Sequence, residues 1–408
     1  MGRRNIAHMK GLVLSGGGVR GAYEVGVLLG INELMLAHGA STNTPDSAAA
    51  RPLFDIIAGT SVGALNATYL ASKAHVGYDV TGLKAIWEQM KLDTYVRPRA
   101  FGLFRRKSPP SLLDSSAMIS LIDAGMDWDQ LHANIANDEV KALIIAALEL
   151  DSGRTVIFSE LSPKATFRAS KDPRRKQIET KLSLQHILAS AAIPFLFPVR
   201  PIGNHYFADG GIRFNTPISP AIRAGATSLC VISARHPYYF EGSMEPLSRY
   251  PSAVEIGGKL LNALLLDPLS YDMQILQRFN RLFETLETHL EPGEMKRVQD
   301  IIEDSRGAPY RPLNTLYFFP SKDISAMASV YLSESKNWKN FPTWLKAMVR
   351  FNRSRQQQSF ADIASYLMFD QGFIHRLIDL GRQDAFSKEE DIISFFASTP
   401  EPSGMVGD

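Results

Sequence analysis

The N-terminal part of the chain alternates short apolar runs with glycine-rich turns and helical periodicity. Residues 11–14 form an apolar run, which is followed by a turn rich in glycine and by apolar positions at helical spacing. Residues 54–58 form a second apolar run, which passes through the turn 59–63 into a helical pattern over 64–73. Strand, glycine turn and helix in repeated succession predict an α/β fold with a parallel sheet.

Three further apolar runs have the composition of strands that helices cover on both faces. They span residues 142–150, 155–158 and 227–233. Residues 184–192 have the pattern of a helix, which Pro194 ends. Pro198 and Pro201 then predict an extended loop before residue 205.

The pattern changes after about residue 236, where leucine, glutamine, arginine and glutamate become more frequent at helical spacing. This periodicity predicts a mainly helical C-terminal third, with one further short strand at residues 315–319. The last residues, after Pro400, are expected to be disordered. The apolar positions that carry the helical spacing are Leu260, Leu261, Leu264, Leu265, Met273, Leu276, Phe279 and Phe283.

Composition and charge narrow the class of protein. The 408 residues suffice for one large α/β domain with an appended region, or for two domains. With 44 Lys and Arg against 42 Asp and Glu, the net charge of +2 is too balanced to indicate nucleic acid as a general partner. The single cysteine, Cys230, lies in an apolar run and is expected to be a buried structural thiol.

The sequence shows neither a signal peptide nor a transmembrane segment. The longest apolar runs, such as residues 142–148, have the length of a buried strand and fall short of the roughly 18 apolar residues that a membrane span needs. We therefore expect a cytoplasmic protein that is soluble or peripheral at a membrane.

The turn at residues 59–63 has the sequence GTSVG and fits the pattern G-x-S-x-G of a nucleophile elbow. The pattern is short, but a predicted strand precedes it and a predicted helix follows, as the elbow requires. Small residues on both sides of Ser61 permit a sharp turn that presents the hydroxyl at the carboxyl end of the sheet. The turn therefore predicts Ser61 as a nucleophile, supported by Gly59 and Gly63.

The first glycine turn, GGGVRG at residues 16–21, suits the binding of an anionic oxygen, because adjacent glycines leave backbone N–H groups unobstructed at a helix N-terminus. It also satisfies G-x-G-x-x-G, the pattern of dinucleotide-binding folds. Those folds have an acidic residue at the end of the next strand, where this chain has the serine elbow. An oxyanion hole formed by Gly16, Gly17 and Gly18 accounts for both turns, whereas a nucleotide accounts for one.

A third turn, Asp209-Gly210-Gly211, is by itself typical of a β-turn. A serine nucleophile needs a base, which is usually a histidine oriented by a carboxylate. The chain order of α/β-hydrolases would require that histidine late in the sequence, yet no late histidine lies in a supporting motif. The histidines considered are His236, His289 and His375.

Together the three turns resemble the signatures of patatin-like phospholipases, in the order of that family and at compatible separations. The resemblance covers roughly residues 10–235. Residues 189–194, with the sequence ASAAIP, and residues 215–217, with the sequence NTP, also resemble segments that flank the aspartate motif of the family. Three linked motifs in the same order form a specific signal.

The resemblance implies a three-layer α/β sandwich, with a mostly parallel central sheet between helices, and a lipid acyl hydrolase of the phospholipase A or lysophospholipase type. It implies a dyad of Ser61 as nucleophile and Asp209 as general base, with no catalytic histidine, metal or cofactor. Gly16, Gly17 and Gly18 would form the oxyanion hole. The residues that would support the motifs are Arg20, Gly21, Gly59, Gly63, Gly210 and Gly211.

On this basis residues 1–9 are a tail, 10–235 the catalytic domain, 236–400 a mainly helical region packed on or capping it, and 401–408 a disordered tail. Two alternatives remain open. One is an esterase that uses a Ser-His-Asp triad on another class of substrate. The other is a lipid-binding or regulatory module without turnover, against which the intact Ser61, Asp209 and glycines argue.

A segment at residues 97–107 is the candidate for membrane contact. Basic and bulky apolar side chains interleave there between proline-containing turns, so the segment would rest on an anionic bilayer and deliver an acyl lipid to the site. A solvated connector is the alternative. The membrane-facing residues would be Arg97, Arg99, Phe101, Phe104, Arg105, Arg106 and Lys107.

Overall fold

The computed structural model describes residues 8–38, 52–90, 97–98, 111, 113–114, 116–235, 268–306, 312–334 and 364–397. In chain order, the elements up to residue 232 are β1 (Lys10–Leu14), α1 (Gly21–Ala37), β2 (Ile56–Thr60), α2 (Val62–Ser72), α3 (Val80–Gln89), β3 (Arg97–Pro98), β4 (Leu113–Asp114), α4 (Ser116–Gly125), α5 (Trp128–Ala136), β5 (Ala142–Glu149), β6 (Thr155–Leu161), β7 (Arg175–Glu179), α6 (Leu184–Ser190), β8 (Arg200–Ile202), β9 (His205–Asp209), α7 (Ile218–Arg223) and β10 (Ser228–Ile232). The later elements are α8 (Pro268–His289), α9 (Pro292–Arg306), β11 (Asn314–Phe318), α10 (Ile324–Ser333), α11 (Gln371–Phe386) and α12 (Glu389–Ala397).

Nine of the strands within these residues form one mixed sheet. Its parallel core has the order β11-β10-β1-β2-β5, and the side chains of β2 and β10 are buried throughout, as in strands that helices cover on both faces. β6 pairs antiparallel with β5, and β7 lies parallel to β6. β9 pairs antiparallel with the C-terminal end of β5 and with β8.

The core has two parts, one on each face of the sheet. Leu12 and Leu14 of β1 point to the face that α1, α2, α3 and α11 cover. Val13, between them, points to the opposite face and packs in the cluster that includes Ile218 and Ala221 of α7. The chain thus forms helix, sheet and helix layers, and the predicted fold with a mostly parallel central sheet is confirmed.

The C-terminal third contributes to this core. β11 lies beside β10 in parallel register, with Leu316 opposite Cys230. α11 packs along α1, where the Tyr23 hydroxyl donates a 3.1 Å hydrogen bond to Asp384. The predicted helical character of this third is confirmed by α8 to α12, and the predicted strand at residues 315–319 corresponds to β11.

All the strands predicted from apolar runs are present, with ends that shift by at most three residues. The loop predicted before residue 205 is wrong, because the chain there forms the β8–β9 hairpin, in which Pro201 is opposite Tyr206. β8 is an edge strand, where the missing N–H of a proline costs no hydrogen bond of the sheet. The strands β7, β8 and β9 were not predicted.

Among the helices that the structure describes, none combines the length and apolarity needed to cross a bilayer.

Several sequence predictions lie outside the described residues. The predictions that fall outside are the helical positions 260–265, the membrane segment beyond Pro98, and the tails after residue 400 and before residue 8.

Candidate active site

Ser61 lies at the carboxyl end of β2, in the turn that leads into α2. Its backbone φ of 55° and ψ of −125° fall outside the regions that residues with a side chain ordinarily occupy. A small residue is required nearby, since a Cβ on Gly63 would stand 2.5 Å from the carbonyl oxygen of Leu14. The turn therefore lies directly against the end of β1, and Ser61 is 5% exposed.

The register of β5 brings Asp209 to the same edge of the sheet. Ala146 of β5 is opposite Thr60, the last residue of β2. The next residue, Ala147, is opposite Asp209, the last residue of β9. Two strand ends thus meet beside β5, and Ser61 Oγ donates a hydrogen bond of 2.7 Å to Asp209 Oδ2.

The Asp209 carboxyl group is almost fully buried, with 1% of its surface exposed. Its Oδ1 accepts a 2.7 Å hydrogen bond from the backbone N–H of Gly211. Burial raises the pKa of Asp209 to about 7, although the hydrogen bonds from Ser61 and Gly211 act to lower it. A carboxyl group with this pKa exchanges a proton near neutral pH, as a general base must.

Ser190, at the end of α6, supports the nucleophile turn and was missed by the sequence reasoning. Its Oγ accepts a 2.7 Å hydrogen bond from the backbone N–H of Ser61 and donates one of 2.7 Å to the carbonyl of Ala146. Ser190 is fully buried. The available signal was a hydroxyl at the end of a predicted helix, within the segment ASAAIP.

The glycine loop that follows β1 borders Ser61. A Cβ on Gly16 would lie 3.1 Å from the Ser61 Cβ, so the loop and the serine are in van der Waals contact. The Gly16 N–H donates a 3.2 Å hydrogen bond to the carbonyl of Asn215. Within the described residues, the N–H groups of Gly17 and Gly18 have no acceptor, which leaves both able to bind an anionic oxygen.

Arg20, in the same loop, is directed away from the serine and is 4% exposed. Its guanidinium donates hydrogen bonds to Ser325 Oγ at 3.0 Å and to Ser365 Oγ at 2.5 Å. It also lies 4.2 Å from the centroid of the Tyr366 ring. Arg20 therefore joins the glycine loop to two segments of the C-terminal third.

The other glycines of the motifs permit close contacts around the dyad. A Cβ on Gly21 would meet the side chain of Val62 at 2.8 Å, and a Cβ on Gly210 would meet the carbonyl oxygen of Ala146 at 2.3 Å. Gly59 is equally close to the backbone of Gly63. Gly59 and Gly210 thus lie where two backbone segments touch, and Gly21 lies against a side chain of α2.

The histidines considered as alternative bases have other partners. His375 Nε2 lies 2.9 Å from a carboxylate oxygen of Glu88, and His289 contacts the carbonyl of Thr285 within its own helix. His236 lies outside the described residues, as do all the predicted membrane-facing residues except Arg97 at the start of β3. The described part of the chain contains no cluster of three or more His, Cys, Asp or Glu side chains arranged to hold a metal ion.

Comparisons with known proteins place this geometry in context. The sequence profile described as "Patatin-like phospholipase" matches residues 12–222, just over half of the chain. The chain is 29% identical over 209 residues to a Pseudomonas aeruginosa (strain BWHPSA011 / Pa011) protein described as a cGAMP-activated phospholipase. That match covers 50% of this chain and 53% of the relative, so the chain spans about half the length of the curated relative it matches. A structural match to VipD from Legionella pneumophila covers 91% of this chain and 67% of that protein, with a TM-score of 0.29 and 14% identity.

Proposed function

This chain belongs to the patatin-like phospholipase family, and from that membership we propose that it is a serine lipid acyl hydrolase, which releases fatty acids from phospholipids or related acyl lipids. The observation that carries the proposal is the 2.7 Å hydrogen bond from Ser61 Oγ to Asp209 Oδ2. This bond joins a strained serine turn to a buried carboxyl group, and a glycine loop lies beside both. Ester hydrolysis needs these three features as nucleophile, base and donors to the oxyanion.

In the acylation step, Ser61 Oγ attacks the ester carbonyl carbon while Asp209 accepts the serine proton. The carbonyl oxygen becomes an oxyanion, which accepts hydrogen bonds from the N–H groups of Gly17 and Gly18. Gly16, the third glycine that the resemblance implied for the oxyanion hole, is left out of this role because its N–H already donates to the carbonyl of Asn215, which holds the loop. The tetrahedral intermediate then breaks its bond to the alcohol oxygen, Asp209 returns the proton to that oxygen, and the acyl group remains on Ser61.

In the deacylation step, Asp209 takes a proton from a water molecule that attacks the acyl-Ser61 carbonyl. The same N–H groups stabilise the second oxyanion. When this intermediate breaks its bond to Ser61 Oγ, the proton on Asp209 passes to the serine. The fatty acid leaves, and the starting protonation state of the dyad returns.

The immediate partners of Ser61 favour a carboxylate, and not a histidine, as the base that accepts the serine proton. Its hydroxyl donates to Asp209 and its N–H to Ser190. Desolvation raises the pKa of Asp209 to about 7, which makes this carboxylate a stronger base than an exposed one. Phospholipase A or lysophospholipase specificity is part of the proposal, since both classes need only this acyl-transfer chemistry.

Contact with a membrane surface is also part of the proposal, because acyl lipids reside there. The basic and apolar segment at residues 97–107 supports it by composition. Phe195 adds support, since it is 71% exposed and has a φ of 66° in the loop that precedes the β8–β9 hairpin. The same loop anchors Asp209, whose N–H donates to the carbonyl of Ala192.

The test is lipidomics of a mixed phospholipid extract treated with the wild-type protein and with Ser61→Ala. The wild type should raise free fatty acids and lysophospholipids, and Ser61→Ala should leave the extract unchanged. Ser72→Ala is a matched control, since Ser72 is also a buried serine but lies at the far end of α2 and bonds to the carbonyl of Tyr69. Equal lipid release by Ser61→Ala and the wild type would refute the proposal.

The assay is run with and without cGAMP, because the Pseudomonas relative is described as cGAMP-activated. We propose that cGAMP raises the activity of this chain, as the name of the relative indicates for that protein. Lipid release that increases on addition of cGAMP would support activation. Equal release in both conditions would refute it and leave the hydrolase proposal intact, whereas no release in either condition would contradict the hydrolase proposal.

A further inference from the structure

Glu24 is a buried carboxyl group that the proposed reaction does not use. It lies in the first turn of α1, directly after the glycine loop, and it is 0% exposed. No lysine, arginine or histidine of the described residues pairs with it. Because an ionised carboxylate without a counter-ion is costly to bury, burial holds the pKa of Glu24 well above its usual range, although the hydrogen bonds from Asn66 and Ser15 act to lower it.

The two carboxyl oxygens of Glu24 face the two chain segments that form the site. Oε1 lies 3.4 Å from the hydroxyl of Ser15, which immediately precedes the glycine loop. Oε2 accepts a 2.9 Å hydrogen bond from Asn66 Nδ2, on the helix that begins at the nucleophile turn. Glu24 thus connects the residue that follows β1 with α2, the helix that follows the nucleophile turn.

Both partners of Glu24 have further hydrogen bonds. Asn66 Oδ1 accepts a 2.9 Å bond from the indole N–H of Trp87, and Asn66 Nδ2 also lies 3.2 Å from the carbonyl of Gly21. Ser15 Oγ accepts a 2.9 Å bond from the backbone N–H of Ala234. A fully bonded network of this kind restricts the rotamers of its members, because any rotation leaves a buried polar group without a partner.

We propose that Glu24 is a positioning residue, whose hydrogen bonds with Ser15 and Asn66 hold the oxyanion loop at a fixed distance from Ser61. The inference rests on the proposed function. The position of Gly16, where a Cβ would lie 3.1 Å from the Ser61 Cβ, shows how closely the loop and nucleophile are set. A displacement of about 1 Å between such groups costs on the order of a hundredfold in rate elsewhere.

Glutamine can bond to both partners of Glu24. Its carbonyl oxygen would accept from Asn66, and its amide would donate to the oxygen of the Ser15 hydroxyl, which donates to Glu24 in the wild type. Leucine has a similar size but can make neither bond. The pair Glu24→Gln and Glu24→Leu therefore separates hydrogen bonding from packing.

The experiment measures kcat and KM with a fluorogenic phospholipid, the rate at which a fluorophosphonate probe labels Ser61, and the thermal midpoint of each variant. Tyr23→Phe is the matched control. Tyr23 is the neighbouring residue of α1 and is equally buried, but its hydroxyl bonds to Asp384 on α11. Ser15→Ala is a milder second variant, in case Glu24→Leu does not fold.

We expect Glu24→Gln to keep kcat and the labelling rate within about twofold of the wild type, because it keeps both hydrogen bonds. Glu24→Leu should lower both by at least about tenfold with little change in KM, and Ser15→Ala by about threefold or more. Tyr23→Phe should lower the thermal midpoint without lowering kcat.

Three results would overturn the inference: unchanged rates in Glu24→Leu and Ser15→Ala, a loss in Glu24→Gln as large as in Glu24→Leu, or a loss of kcat in Tyr23→Phe that parallels its loss of stability.

The labelling rate separates this inference from the proposed function. If the wild type labels at Ser61 but releases no lipid, the proposed substrate class fails while the labelling series still decides the role of Glu24. A wild type that neither labels nor hydrolyses would overturn both.

Discussion

Among single residues, Asp209 has the most direct consequence for activity. The general base must be ionised, and burial raises its pKa to about 7. We therefore expect kcat/KM to rise with pH, to level off above about pH 7, and to fall about tenfold for each pH unit below it. The measurement is a pH profile with a soluble ester of a neutral alcohol. A profile that stays flat down to about pH 5 would show that no group of raised pKa acts as the base.

Ser190 gives a second prediction for a single residue. Ser190→Ala removes the acceptor of the Ser61 N–H, so a buried donor is left unbonded in a turn that is already strained. We expect kcat to fall by about tenfold or more and the free energy of unfolding to fall by about 1–3 kcal/mol. Denaturant titration and steady-state kinetics check this, with Ser72→Ala as the control. Wild-type kcat in Ser190→Ala would mean that the turn holds its shape without this bond.

The residues that were predicted from the sequence and those that were missed differ in how far away along the chain their interaction partners lie. Ser61 and the glycines were predicted because the turn, the preceding strand and the following helix are contiguous in sequence. Ser190 bonds to a residue 129 positions away, and Glu24 bonds to Asn66, 42 positions away. No local pattern records such pairings. The role of Asp209 was implied only by resemblance, because its turn alone is typical of many loops.

At the scale of the element, buried parallel strands were predictable and the pairing of short strands was not. β1, β2 and β10 are nearly continuous apolar runs, which is the pattern of strands covered on both faces. β8 has only three residues, and the first two residues of β9, before Phe207, are exposed, so neither strand has that pattern. Their position depends on the pairing of β9 with β5, which only the folded sheet provides.

The β8–β9 hairpin gives a prediction at this scale, because it carries Asp209 at its end. Gly203 in its turn has a φ of 57°, and a Cβ there would touch nothing within 4 Å. Gly203→Ala should therefore lower the free energy of unfolding by about 1 kcal/mol through backbone strain alone. Gly293→Ala is the control, since Gly293 also has open space around it but no positive φ. Equal stability of the two variants in denaturant titrations would argue against the hairpin geometry.

At the scale of the whole molecule, the C-terminal third completes the structure of the catalytic part. β11 extends the central sheet, α11 packs on α1, and Arg20 of the glycine loop bonds to Ser325 and Ser365. The division at residue 235 stays a prediction about domains. The sheet, the packing of α11 on α1 and the hydrogen bonds of Arg20 all join residues on the two sides of it.

We expect a fragment of residues 1–235 to lack a cooperative thermal transition and to be inactive, because β10 and α1 would lose their covering partners. Circular dichroism and calorimetry of the fragment and the full chain check this. A full chain interrupted by a cleavable site after residue 235 is the control, since both parts remain present after cleavage. A fragment that unfolds cooperatively and hydrolyses lipid would contradict the expectation.

The central claim is that Asp209 serves as the base for Ser61, and the most direct test is kcat/KM of Asp209→Asn with a fluorogenic phospholipid. Asparagine keeps the size of the side chain but cannot accept the serine proton, so we expect a loss of about a thousandfold or more. Asp384→Asn is the matched control, since Asp384 is a buried aspartate that bonds to Tyr23 instead of to the dyad, and it should keep wild-type turnover. Turnover by Asp209→Asn close to that of the wild type would contradict the account.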